Sequence, residues 1–224
     1  MKSSTAGIAK IDFRAKSKLS KEELAKYRQL SKFKKKDYLI GRIALKQALA
    51  NYTSQDFDQK VTIKNNDAGL PYVEGVRDIY CSLSHSYNRG IGIVAPYRVG
   101  VDIEKIRPHK KSLLNYVANQ EEIDVVQDFF GTQTDVVTLI WVIKESVMKG
   151  VGAGFSIAPK QLEITHKASG TSFEVKIQNY KSKLWYVWPS KVDRFYIGIA
   201  YEKNYEQKPS INWYTGASLS ATRN

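Results

Sequence analysis

Val99-Gly100-Val101-Asp102-Ile103-Glu104 sets two carboxylates two residues apart in an otherwise apolar run. Side chains at i and i+2 of a β-strand share a face, so Asp102 and Glu104 project together while Val101 and Ile103 pack behind them. Two carboxylates on one face repel unless protons or a cation sit between them. A hard divalent ion with oxygen ligands, Mg²⁺ or Mn²⁺, resolves the conflict. The bland alternative is a strand end whose carboxylates face water.

A helix further along the chain bears on that choice. Thr134 or Asp135 can cap it, and it runs to about Lys149 or Gly150. Val136, Ile140, Ile143 and Val147 fall at spacings that make a core stripe. Trp141, Glu145 and Lys149 form a neighbouring stripe, and Trp141 and Met148 flank Glu145. That placement predicts partial burial, where a carboxylate needs a partner. If this helix packs on strand 99–104, Glu145 joins Asp102 and Glu104 as a third oxygen ligand. Three carboxylates would bind Mg²⁺ and leave positions for phosphate oxygens and water, with Lys144 and Lys149 supplying positive charge to the same phosphates.

The chain has 224 residues, 42% hydrophobic and 25% charged, enough for one large domain or two small ones with a real core. Cys81 is its one cysteine, which excludes an internal disulfide and a cysteine-based zinc site. No apolar run approaches the ~18 residues of a membrane span, and no signal-peptide pattern opens the chain. A cytoplasmic protein is expected. The net charge is +13, and residues 1–60 hold 15 Lys and Arg against 6 Asp and Glu. A basic surface attracts nucleic acid, anionic lipid, phosphorylated small molecules or an acidic protein. The +13 charge and 12% aromatic content motivate a nucleic-acid-binding alternative, or another metal-dependent phosphoryl-transfer protein.

Ala6 to Phe13 reads as a strand. Ser20-Lys21-Glu22-Glu23 is a capping box that starts a helix with Leu24, Tyr27 and Leu30 on its apolar stripe. After the cluster Lys32 to Lys36, a second helix over 37–51 buries Ile40, Ile43, Ala44 and Leu49, with Arg42 and Lys46 together on another face. A strand near 79–83 runs into a polar loop, Ser84 to Gly90, and returns over 90–95. Residues 110–130 read as helical, with a break at 131–134. Four strands follow at 155–165, 172–178, 184–188 and 194–201, with turns at Gly170 and Pro189-Ser190. The tail from 202 is polar, with Trp213 and Tyr214 as tethers. Helices followed by strands occur in each half, so two α+β lobes meeting near residue 100 is the simplest architecture. The expected divisions are a basic lobe over 1–98, a lobe carrying the acidic motifs over 99–201, and a tail over 202–224.

Four pieces in order resemble the 4′-phosphopantetheinyl transferases of the Sfp type. They are Gly41 to Leu49, Leu83-Ser84-His85-Ser86, Val99 to Glu104, and Trp141-Val142-Ile143-Lys144-Glu145-Ser146-Val147-Met148-Lys149. The resemblance spans roughly residues 19–200. It implies a pseudo-dimer of two similar α+β lobes with the active site in the cleft between them. It implies transfer of the 4′-phosphopantetheine arm of coenzyme A to a serine of an apo acyl or peptidyl carrier protein, releasing adenosine 3′,5′-bisphosphate. By the same resemblance Asp102, Glu104 and Glu145 hold Mg²⁺, or Mn²⁺, and Glu145 is also the base for the carrier serine. Lys149 contacts the pyrophosphate, and Ser84 and His85 hold phosphate groups of coenzyme A. Arg42 and one of the lysines 32–36, taken as Lys36, face the 3′-phosphate. An acidic carrier would dock at the lobe interface or along 105–130. The partners are then coenzyme A and the carrier, with no nucleic acid and no membrane, and the chain is a monomer. One position departs from the pattern: Gly69-Leu70-Pro71 places Leu70 where many members carry a basic residue. One phosphate contact is then missing or comes from Arg77 or Arg89.

Overall fold

The computed structural model describes residues 4–10, 13–54, 60–127, 129–130, 135–152, 156–166, 171–178, 184–202 and 211–215. The break expected at 131–134, the turn at Gly170 and most of the tail lie outside them. The fold is α+β. The chain divides into two compact units, Met1–Tyr97 with Pro209–Asn224, and Arg98–Lys208.

In the first unit, strand β1 (Ser4–Lys10) leads through a 3-10 helix (Phe13–Lys18) to helix α1 (Lys21–Gln29) and the long helix α2 (Lys32–Thr53). The lysine cluster is thus the first turn of α2 rather than a segment before it. A small hairpin, β2 (Ile63–Asn65) with β3 (Pro71–Val73), precedes β4 (Tyr80–Ser86) and β5 (Arg89–Ala95). Residues Ser84 to Ser86, read from sequence as loop, belong to β4. They pair with β5 up to Ser86 opposite Arg89, and the turn is confined to Tyr87 and Asn88, with Tyr87 at φ 54°.

In the second unit, β6 (Val99–Lys105) is followed by three helices, α3 (Lys111–Val117), α4 (Gln120–Val126) and α5 (Val136–Val151). Four antiparallel strands complete it: β7 (Leu162–His166), β8 (Phe173–Ile177), β9 (Leu184–Val192) and β10 (Phe195–Glu202). The helical stretch expected over 110–130 holds two helices, because Asn119 takes the backbone out of the helix and caps α4. Pro189 is not a corner but lies within β9, opposite Gly198. β8 pairs with β9 only as far as Val187, so among the described strands Pro189 has β10 alone as a neighbour.

The sheet of the second unit runs β6-β10-β9-β8-β7. That of the first runs β1-β5-β4 in the corresponding order, with one strand added outside β1. The added strand is β11 (Ile211–Thr215), parallel to β1, with Ser4 opposite Ile211 and Ile8 opposite Thr215. Its β-branched and aromatic residues suit a strand better than a frayed tail.

One long helix lies on each sheet. α2 packs on β1 and β5, burying Leu39, Ile40, Ala44 and Leu45. α5 packs on β6 and β10, burying Leu139, Ile140, Ile143 and Val147. The Asp135 side chain caps α5 by accepting from the N–H of Thr138 at 2.7 Å, and Gly152, at φ 79°, ends it.

Each long helix also buries a lysine against a carboxylate. In the first unit, Glu23 and Ser20 form the capping box of α1, and Glu23 Oε1 accepts from Ile63 N–H at 3.0 Å. Lys46 Nζ lies 2.8 Å from Glu23 Oε2 and donates to the carbonyls of Lys18 and Val61. In the second unit, Glu122 and Asn119 form the capping box of α4, and Glu122 Oε1 accepts from Ile164 N–H at 3.0 Å. Lys144 Nζ lies 2.7 Å from Glu122 Oε1 and donates to the Val117 carbonyl at 2.7 Å. Among the described residues no helix is long and apolar enough to cross a membrane.

Candidate functional site

β6 and α5 meet at unusually close range. Gly100, Asp102 and Glu104 share one face of β6. A Cβ on Gly100 would run into the backbone of Ser146 and Gly150, so α5 lies almost directly on the strand. Gly198 on β10, opposite Asp102, admits α5 in the same way, since a Cβ there would come within 2.9 Å of Val142. The opposite face of β6 is apolar, with Val101 and Ile103 buried.

This approach brings the side chain of Lys149 onto Asp102. Lys149 Nζ donates to Asp102 Oδ1 at 2.6 Å, with the carboxylate almost wholly buried and the lysine partly exposed. Glu145, one turn earlier on α5, is half-buried. Burial pushes its carboxyl above the usual glutamate range, the negative charge of Asp102 pushes it further, and Lys149 opposes both. Asp102, Glu145 and Lys149 therefore act on one another as a group, as expected from their stripe and strand positions.

Glu104 is half-buried and lines a cleft of about 230 Å³ with Arg107, His109, Leu113, Thr138 and Trp141. His109 lies partly buried with Nε2 3.0 Å from Thr138 Oγ1. Among the described residues, no three His, Cys, Asp or Glu are gathered closely enough to hold a metal ion. The donor set that is gathered, two oxygen-bearing carboxylates whose charges disfavour each other, fits a hard divalent cation in chemistry. In this structure the Lys149 ammonium is the positive charge on Asp102.

Lys144 does not belong to this group. It was expected to face phosphates beside Lys149, but it is fully buried in the pair with Glu122. Adjacent helix positions point about 100° apart, so Lys144 faces α4 and β7 when Glu145 faces β6. Burial lowers its pKa, and the bond to Glu122 opposes that shift.

The expected coenzyme A residues lie in the first unit. Arg42 is buried, not on an exposed cationic face: Nη2 donates to Asn65 Oδ1 at 2.8 Å, and the guanidinium lies 4.8 Å from the centre of the Tyr38 ring. Its Nε is 3.8 Å from Glu23 Oε1. Lys36, also on α2, donates to Asn88 Oδ1 at 2.8 Å in the β4–β5 turn. His85 Nδ1 is 3.6 Å from Asp37 Oδ1, and Ser84 is buried beside it on β4. The carboxylates Glu23 and Glu122 were missed as functional partners. Their signal was available: each stands three residues after a capping residue, and each unit places a lysine on its long helix.

Residues 98–200 match the family model described as the 4′-phosphopantetheinyl transferase superfamily. A 4′-phosphopantetheinyl transferase of Bacillus subtilis is 26% identical over 133 residues, 59% of this chain and 59% of that protein. Enterobactin synthase component D of Salmonella austin is 29% identical over 129 residues, 54% of this chain and 50% of that protein. The chain spans a little over half the length of these relatives. A crystal structure of a Bacillus anthracis holo-(acyl-carrier-protein) synthase in complex with CoA (3′,5′-ADP) is 18% identical, with a TM-score of 0.37, covering 42% of this chain and 93% of that one.

Proposed function

We propose that this chain, whose residues 98–200 match the model of the 4′-phosphopantetheinyl transferase superfamily, transfers the 4′-phosphopantetheine arm of coenzyme A to a serine of an apo acyl or peptidyl carrier protein. The observation that carries this reading is the Asp102–Lys149–Glu145 group where α5 lies on β6.

The reaction forms a bond from the serine oxygen to the phosphorus bearing the pantetheine arm. It breaks the bond from that phosphorus to the bridging oxygen, and adenosine 3′,5′-bisphosphate leaves. Such a displacement is governed by charge neutralisation and in-line positioning. Glu145 takes the serine proton, and its raised pKa brings it closer to the working pH of a general base. Lys149 stabilises negative charge on the pyrophosphate. Asp102 and Glu145 would hold Mg²⁺ or Mn²⁺, while Glu104, expected as a third ligand, lines the cleft with Arg107 and His109. That ion would supply Lewis-acid stabilisation of the phosphate oxygens. Arg42, Lys36, Ser84 and His85 bind the phosphates of coenzyme A, and the basic N-terminal quarter attracts an acidic carrier. On this reading the chain is a cytoplasmic monomer, and nucleic acid is not a partner.

Incubation with coenzyme A, Mg²⁺ and a panel of apo carriers should add about 340 Da, the mass of the arm, to at least one of them, as measured by intact-mass spectrometry. A panel left wholly unmodified would remove the enzymatic reading.

A further inference from the structure

We propose that the buried Lys144–Glu122 pair is the positioning device for Glu145 and Lys149, and that its counterpart Lys46–Glu23 does the same for Arg42. The inference rests on the proposed transferase reading for what those residues then do.

The apolar face of α5 is a run of Ile, Val and Leu, and burial of such residues is non-directional. It holds the helix on the sheet but sets the rotation about its own axis less sharply than directional bonds do. Lys144 fixes it. Its ammonium reaches both the Val117 carbonyl, at 2.7 Å, and Glu122. Glu122 is itself held by the N–H groups of Asn119 and Ile164, so the anchor ties α5 to the start of α4 and to β7. Charge-assisted hydrogen bonds of this kind are directional and short. Glu145 is the next residue, and Lys149 lies little more than a turn away. A rotation that displaced Lys144 would displace both.

The first unit separates this device from the chemistry. Lys46, Glu23, Ser20 and Ile63 repeat the arrangement of Lys144, Glu122, Asn119 and Ile164. The residue after Lys46 is Gln47, not a carboxylate, and Asn51 stands where Lys149 follows Lys144. What stands beside the anchor instead is Arg42, one turn before Lys46, with its Nε 3.8 Å from the same Glu23. A buried ion pair is seldom more stabilising than apolar residues of its size, so stability alone does not account for two of them. Setting the helix register does.

The test compares K144M/E122Q, which removes both charges of its pair, with K46M/E23Q, which also takes from the buried Arg42 the carboxylate 3.8 Å from its Nε. Three readouts are taken: the stability coupling between Asp102 and Lys149 in a double-mutant cycle, the affinity for coenzyme A by calorimetry, and the transfer rate at saturating coenzyme A. K144M/E122Q should abolish the coupling and slow transfer by about 30-fold or more, as misplaced catalytic groups do, with a smaller loss of affinity for coenzyme A than of rate. K46M/E23Q should preserve the coupling and weaken coenzyme A binding about tenfold. If either pair fails to fold, Lys144→Arg or Lys46→Arg, which keeps the charge and moves the donors, carries the same expectation. An intact Asp102–Lys149 coupling in K144M/E122Q would overturn the proposal, as would the same loss of affinity and rate from both pairs. Should the unaltered chain transfer nothing, the transferase reading fails, while the coupling still decides whether Lys144 positions Lys149.

Discussion

Glu145 is held where its charge is least welcome. Its raised pKa means that the folded chain favours the protonated acid, so this group stabilises fully below the unfolded value of about 4.3 and loses that contribution as pH rises through the folded one. Glu145→Gln, which cannot ionise, should therefore raise the melting temperature at neutral pH, with the gain vanishing below about pH 4. Thermal melts of both proteins across pH would check it; equal melting temperatures at pH 7 would contradict it. Lys149 lowers the pKa of Glu145 and neutralises Asp102. Lys149→Met should move the Glu145 titration to higher pH, read by carboxyl NMR. It should also cost on the order of 2 kcal/mol, because it leaves a buried carboxylate without its ammonium. At this scale the sequence made Asp102, Glu145 and Lys149 legible, since period and type suffice to place them on one strand face and one helix stripe. It did not make Lys144 legible. A lysine beside a catalytic motif reads as a phosphate ligand until the buried Glu122 that captures it is identified, and that partner comes from a different helix.

The contact of α5 with β6 depends on two residues without side chains. Gly100 and Gly198 let the helix approach until a methyl group would collide with its backbone. Gly100→Ala should destabilise by about 2 kcal/mol or more through overpacking, and it should lift Lys149 from Asp102. Chemical denaturation measures the first effect and the Asp102–Lys149 coupling the second. Unchanged stability would mean that the helix stands further from the strand. The cap, stripe and end of α5 were readable from Asp135, the spacing of Val136, Ile140, Ile143 and Val147, and the glycines after Lys149. The close approach was not readable, because Gly100 in an apolar strand looks the same whether a helix or a small gap lies above it. Likewise Ser84 and Ser86 of β4 read as loop, though their small size suits a buried strand face.

At the scale of the whole molecule the chain uses one plan twice: a capped short helix, a long helix anchored by lysine, and a meander with the same strand order. The repeat was visible in coarse outline as helices followed by strands in each half. The matching anchors were not, because Ser20 and Asn119 cap with different side chains and Lys46 and Lys144 sit in dissimilar local sequence. β11 breaks the equivalence by extending only the first sheet. Deleting residues from 203 onward should expose the edge of β1, and the amides of Ser4–Ile8 should lose hydrogen-exchange protection while those of α5 keep theirs.

The proposed transfer depends on the carboxylates and lysine joined across β6 and α5. It is tested most directly by incubating the native chain and Glu145→Gln in parallel with coenzyme A, Mg²⁺ and the same apo carrier, then weighing the carrier. A gain of about 340 Da is expected with the native chain and none on the same timescale with Glu145→Gln, although the variant remains folded. A carrier modified equally fast by both would contradict it.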